Sequence, residues 1–332
     1  MKIIADRNIP FLEGRLPEAA LICLPASEID SEAVKDADAL IVRTRTRCDS
    51  SLLKDSSVKL IATATIGTDH IDVPWCKANG VTVRNAPGCN APGVALYVWS
   101  NLLRNGFDPG RHTLGVVGCG NVGGIVAAWA ARLGTRVLVC DPPRKEKGLT
   151  DHDYLPLEEV LAQSDAVTLH TPLTHGGSHP TFHLIDRKSI RNIKPGTLFV
   201  NAARGEVAET QSLIDAIGEG RIRHAVIDTW EGEPHINPRL LALADTATTH
   251  IAGYSVEGKQ RATRMALEAV AETLHIPVDL SGLQGPYTPP AVLTPELITA
   301  AYDPATMTAD LKSSPSSFES LRNAYTLHSE IL

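Results

Sequence analysis

Short apolar runs recur along the chain, separated by polar stretches and by segments with helical spacing. Within the first 90 residues, positions 2–5, 39–42, 60–65 and 81–83 are apolar runs of strand length. Positions 114–117, 136–140, 166–171, 198–201 and 225–227 continue the series. Between them, residues 94–103, 125–133, 157–162 and 212–217 place apolar side chains at helical intervals. Strands alternating with helices predict an α/β protein with parallel sheets. Residues 257–274 alternate apolar and charged positions like one long amphipathic helix. From position 277 the texture changes. Pro286, Pro289, Pro290 and Pro295, and the serine- and proline-rich run 313–317, separate two short helical segments, which reads as an appendage.

Most of these strands deliver polar residues at their C-terminal ends, where open parallel sheets bind ligands. The run 114–117 is followed by Gly118, Gly120 and Gly123, with Asn121 and Val122 between them, and then by an alanine-rich helix. That is G-x-G-x-x-G in the strand-to-helix context that gives it meaning. The first glycine permits the turn, the second lets the backbone approach a pyrophosphate, and the third lets helix and strand pack closely. The pyrophosphate would lie at the helix N-terminus, where unpaired N–H groups favour an anion. The next strand ends at Asp141, about 20 positions on, where an acid holds the adenine ribose hydroxyls. The pattern predicts a dinucleotide site. Asp141 would repel a 2′-phosphate and favours NAD, although Arg144 close behind it could accept one.

Composition narrows the field. The 332 residues leave room for two domains, and the net charge of −7 offers no broad basic surface, so nucleic acid is not an expected partner. No apolar run approaches the length of a membrane span. The chain enters its first strand at Lys2 with no charged-then-apolar leader, and its six cysteines form no C-x-x-C pair. Both features predict a cytoplasmic protein with reduced thiols. His175, His179 and His183 are spaced four apart like metal ligands on a helix. Gly176, Gly177 and Pro180 interrupt that helix, and no further ligand completes a set, so no metal is expected.

The second half carries groups suited to hydride chemistry. Oxidation of a secondary alcohol needs a base for the hydroxyl proton, a carboxylate to support it and a cation for the substrate's acid group. Arg204, at the end of the run 198–201, has a planar fork that matches a carboxylate. His250 is the residue type that titrates near neutrality, and Glu233 could bond its other ring nitrogen.

On these residues the chain resembles the D-isomer-specific 2-hydroxyacid dehydrogenases over roughly positions 1–275. An arginine, a glutamate and a histidine follow the glycine motif in that order in this family, and here they fall on Arg204, Glu233 and His250. The resemblance implies catalysis by these three. It implies NAD contacts at Gly118, Gly120, Asn121, Val122, Gly123, Asp141, Thr171, Ala202, Ala203, Arg204, Asp228 and Gly253. Segments 63–70, 86–90, 140–144, 230–234 and 250–254 are similar to a branch acting on a small phosphorylated hydroxy acid, which implies substrate contacts at Thr44, Thr65 and Tyr254. Arg43, Arg45 and Arg47, flanking Thr44, are the candidates for the phosphate, although an extended strand would turn them to the face opposite Thr44. Leu96 stands where the family usually has a glutamate.

The implied architecture is two Rossmann-like or flavodoxin-like domains with parallel sheets, a cleft between them and a short C-terminal appendage. Residues 1–93 and 255–276 would form a discontinuous substrate domain and residues 94–254 the NAD domain. Residues 277–332 would be an extension serving a homodimer. The rival readings are a dehydrogenase for another D-2-hydroxy acid, such as a phosphoglycerate, and an NAD-sensing binding protein.

Overall fold

The computed structural model describes residues 1–16 and 20–331. They form two compact units, Met1–Asn90 with Ser255–Thr288, and Ala91–Tyr254 with Pro289–Leu332.

The first unit holds a five-stranded parallel sheet in the order β2-β1-β3-β4-β5. Its strands are β1 Lys2–Asp6, β2 Ala20–Leu24, β3 Ala39–Val42, β4 Leu60–Thr63 and β5 Thr82–Arg84. Successive residues point to opposite faces, and both faces are covered at the sheet centre, so β3 and β4 are almost wholly apolar. Ile3, Ala5, Ile41, Leu60 and Ala62 pack with Leu267 and Val270 of the Val256–Leu274 helix and with Leu283. Ile4, Leu40, Val42 and Ile61 pack on the other face with Val34, Leu52, Leu53 and Cys76. The strand β2 is not anticipated by the pattern. It lies at the sheet edge with Ile22 40% exposed, and its run shows no apolar–polar alternation.

The second unit holds a six-stranded sheet in the order β11-β10-β9-β8-β6-β7, again parallel. Its strands are β6 Thr113–Val117, β7 Arg136–Cys140, β8 Ala166–Leu169, β9 Thr197–Asn201, β10 Ile222–Ile227 and β11 Thr246–Ala247. The run 166–171 was expected to be extended throughout, but pairing stops at Leu169, opposite Val117 and Asn201. His170 and Thr171 therefore lie beyond the strand, level with Gly118. The Ala91–Arg104 helix contributes Leu96, Tyr97, Val98 and Trp99 to the core. Leu96 is fully buried there, where a carboxylate would need a partner to offset its desolvation.

The stretch after Pro277 does not stay together. Leu283 joins the first unit's core, whereas Leu293, Ile298, Tyr302 and Met307 enter one core of the second unit and Leu311 and Phe318 the other. Its proline-broken helices are short, Pro295–Ala301, Thr308–Ser313 and Phe318–Ala324, but each buries an apolar residue.

Candidate active site

The order of the second sheet reverses at β6 and β8, the switch point outside which ligands bind in such folds. Both strands end there on the residues expected to meet the cofactor. Gly118 turns with φ +89°, and a Cβ on it would stand 2.8 Å from the carbonyl carbon of His170. A Cβ on Gly123 would stand 1.9 Å from the Gly118 oxygen, so only glycine lets the Asn121–Arg132 helix come this close. At Gly120 nothing lies within 4 Å of that position. A close-packed turn with one open backbone face fits a pyrophosphate. Asp141 at the end of β7 accepts from the Cys119 amide at 2.7 Å and caps the following turn through the Arg144 amide at 3.0 Å. The Arg144 guanidinium is held by Tyr154 at 2.8 Å and Asp151 at 2.7 Å, so it is committed elsewhere than to a ribose phosphate. The Thr171 hydroxyl is buried with no hydrogen-bond partner among the described residues. The His170 ring, held by burial to a pKa of about 3, is neutral.

Around the ends of β9 and β10 the backbone is pinned by side chains. Asn201 donates to the Arg204 carbonyl at 3.1 Å and accepts from the Ala203 amide at 3.2 Å, which shapes the Ala202–Ala203–Arg204 turn. Gly205 brings that turn against Trp230, whose carbonyl carbon would lie 2.0 Å from a Cβ there. Asp228 follows β10 and is fully buried. Its carboxylate accepts from the Thr248 hydroxyl at 2.6 Å, the Ile251 amide at 2.8 Å and the Ala252 amide at 3.1 Å. Burial raises its proton affinity above the ordinary aspartate value, against the opposing pull of His250 and these bonds. Thr248 in turn meets the Tyr97 hydroxyl at 2.8 Å.

This frame presents His250 in the left-handed region, φ +59°, with its amide bonded to the Asp228 carbonyl at 2.8 Å. Its Nδ1 lies 2.6 Å from Glu233 Oε1, and Glu233 Oε2 accepts from the Trp230 amide at 3.2 Å. Burial pushes the Glu233 carboxyl up, but the bond to His250, the charges of His250 and Arg322, and the Trp230 amide together hold it below the usual range. Glu233 therefore stays ionised and directs Nε2 outward. Gly253 and Tyr254 close the segment, and Arg322 donates through Nε to the Tyr254 hydroxyl at 3.1 Å. Thr248, Tyr97 and Arg322 carry no motif. Only the folded chain brings them here.

In the first unit, Thr44 is exposed just beyond β3, and the Thr65 hydroxyl meets Thr63 Oγ1 at 2.6 Å and the Gly67 carbonyl at 3.1 Å. Because β3 ends at Val42, residues 43–47 form a turn and the strand-alternation conflict does not arise. Arg43 pairs with buried Asp6 at 2.9 Å and Arg47 with Asp49 at 2.7 Å, while Arg45 is exposed. The loop histidines do not converge. His179 binds Glu146 at 2.7 Å and His183 binds Glu231 at 2.6 Å, and among the described residues no three potential ligands gather for a metal.

Comparison with known proteins decides the family. Residues 94–252 match the family described as D-isomer specific 2-hydroxyacid dehydrogenase, NAD binding domain. A relative from Bacteroides fragilis, 42% identical over 99% of this chain and 97% of its own length, is an erythronate-4-phosphate dehydrogenase. The chain belongs to the D-isomer-specific 2-hydroxyacid dehydrogenases. It is an NAD-dependent oxidoreductase, and the two parallel-sheet units are those of its family. A second relative, from Shigella flexneri serotype 5b, is 39% identical over 98% of this chain and 91% of its own length and bears the same name as the first. Among solved structures, the D-lactate dehydrogenase of Aquifex aeolicus with NAD and lactic acid is 25% identical, with a TM-score of 0.68. It spans 83% of this chain and 96% of its own. Roughly a sixth of this dehydrogenase thus lies outside that match, whereas the full-length relatives share nearly all of it. Among the described residues, no helix is long and apolar enough to cross a membrane.

Proposed function

We propose that this chain oxidises 4-phospho-D-erythronate at C2 to 3-hydroxy-2-oxo-4-phosphooxybutanoate, in the cytoplasm, as a step toward pyridoxal 5′-phosphate. The observation that carries this reading is full-length similarity, 42% identity over 99% of the chain, to a relative named for that substrate. NAD, when bound, supplies the hydride acceptor.

His250 Nε2 accepts the C2 hydroxyl proton as hydride leaves C2 and the C2–O bond becomes a carbonyl. Glu233, ionised and bonded to Nδ1, stabilises the resulting imidazolium. Arg204 grips the C1 carboxylate and polarises the developing carbonyl oxygen. Thr44, Thr65 and Tyr254 orient the rest of the substrate, and Arg43, Arg45 and Arg47 around Thr44 are the candidates for its phosphate. The cofactor would lie along Gly118, Gly120, Asn121, Val122 and Gly123, with its ribose at Asp141. Thr171, the turn of Ala202, Ala203 and Arg204, Asp228 and Gly253 would hold its nicotinamide half. In this reading residues 1–93 and 255–276 serve the substrate, residues 94–254 serve NAD, and part of the stretch 277–332 serves a homodimer.

The test is NADH appearance at 340 nm with 4-phospho-D-erythronate beside 3-phosphoglycerate and D-lactate. Turnover of the first alone is expected. Turnover confined to a control would overturn the substrate. Sedimentation equilibrium tests the homodimer, for which twice the 35.6 kDa chain mass is expected.

A further inference from the structure

The Phe318–Ala324 helix lies far along the chain from the motifs of the family, yet it places a cation beside the catalytic pair. Arg322 donates through Nε to the Tyr254 hydroxyl at 3.1 Å, and its guanidinium carbon stands 5.8 Å from the centre of the Tyr254 ring. Its side chain is only 15% exposed, and Glu319, at 4.0 Å on the same helix, is an ion-pair partner. Tyr325, one turn away, meets the Tyr254 ring edge-on at 6.2 Å between centres. Tyr325 is itself anchored by hydrogen bonds to Tyr302 at 2.8 Å and His328 at 3.1 Å. The tyrosine is thus clamped by the C-terminal stretch on its oxygen and on its ring. The charge of Arg322 also reaches Glu233 and adds to the influences that keep that carboxylate ionised.

A phenolic oxygen that accepts from a guanidinium directs its own proton away from it. We propose that Arg322 is a positioning residue for the oxidation. It orients the Tyr254 hydroxyl as a donor to an anionic oxygen of the 2-hydroxy acid, and it makes the C-terminal stretch part of the substrate site. The inference rests on the reading above only in taking Tyr254 as a substrate contact. It holds for any 2-hydroxy acid the enzyme accepts.

The experiment compares wild type with Arg322→Met, Arg322→Lys, Tyr254→Phe and the Arg322→Met/Tyr254→Phe double variant in the full-length enzyme. NADH affinity is read by fluorescence, KM and kcat by NADH formation, and binding of oxalate, a planar dicarboxylate, by its effect on the fluorescence of the NADH complex. Loss of a hydrogen bond to an anion costs about 10-fold or more. Arg322→Met should therefore raise KM and the oxalate Kd about 10-fold, with kcat falling less and NADH affinity intact. Arg322→Lys should recover part of that loss. In the Tyr254→Phe background, removal of Arg322 should change oxalate affinity less than about threefold, because the group it orients is gone. Full multiplication of the two single losses, or an Arg322→Met enzyme within twofold of wild type, would overturn the inference. If Arg322→Met does not fold, the same cycle is read with Arg322→Lys, where wild-type KM and oxalate affinity would overturn it. Failure to turn over 4-phospho-D-erythronate overturns the substrate reading alone, since the oxalate cycle still decides the role of Arg322.

Discussion

His250 satisfies two demands at once. Its backbone is held at φ +59° by the amide bond to Asp228, and its ring is fixed through Nδ1 by Glu233. Such a conformation costs of order 1–3 kcal/mol and persists only where the surroundings enforce it. Here the Asp228 carboxylate does so by gripping the next two amides. His250→Ala removes the proposed proton acceptor and leaves that frame in place. Turnover should fall about 10²–10⁴-fold while NADH binding, followed by fluorescence, stays near wild type. Two other histidines make stability depend on pH. Burial holds His170 to a pKa of about 3 and His328 to about 4, so neither takes a proton in the folded chain near neutrality. The unfolded chain protonates them below about 6.5. Stability is therefore complete above that value and is lost as pH falls from about 6.5 toward 4, by up to about 1.4 kcal/mol per pH unit for each group. Urea midpoints at pH 7 and pH 5 should show the decline, and replacing His328 should flatten it. At this scale the catalytic candidates were legible because each sits at a strand or loop end as a chemically distinctive residue. Their supports were not. Thr248 meets Tyr97 across 151 positions and Arg322 meets Tyr254 across 68, and no local pattern encodes such pairings.

The glycine turn shows how one element separates folding from binding. The Cβ missing at Gly123 would strike the Gly118 oxygen at 1.9 Å, whereas the one missing at Gly120 would meet open space. Gly123→Ala should then cost about 1–3 kcal/mol or more, seen as a lower melting temperature without cofactor. Gly120→Ala should melt like wild type and lose NAD affinity about 10-fold or more, the cost of pushing a bound anion off its amide donors. Equal melting temperatures for the two variants would contradict this division. The central strands of both sheets were readable because burial on both faces writes them as unbroken apolar runs. β2 and the two-residue β11 escaped that reading. An edge strand needs less apolar cover, and two residues show no period. The end of β8 was placed too late because His170 and Thr171 follow a run of β-formers, and pairing with both neighbours stops at Leu169.

For the whole molecule, the proline-rich tail is structural. Ile298, Leu311 and Phe318 are almost wholly buried in the second unit. Each such side chain contributes about 1.5–3 kcal/mol when removed from water. A chain ending at residue 288 should lose several kcal/mol and expose apolar surface, measurable as a lower melting temperature and increased dye binding. The tail read as an appendage because prolines and serines break its helices, and three short helices that each bury one residue leave no amphipathic signature. The first unit, meanwhile, is assembled from two distant pieces of chain. Leu267 and Val270 cover one face of a sheet whose last strand ends at Arg84, more than 170 positions earlier. At about 5–20 residues per second of synthesis, that face leaves the ribosome bare. It stays bare for on the order of 10–40 seconds, while the whole nucleotide-binding unit is made behind it. During that interval the nascent chain shows this apolar face to its neighbours, a hazard that the finished fold no longer carries.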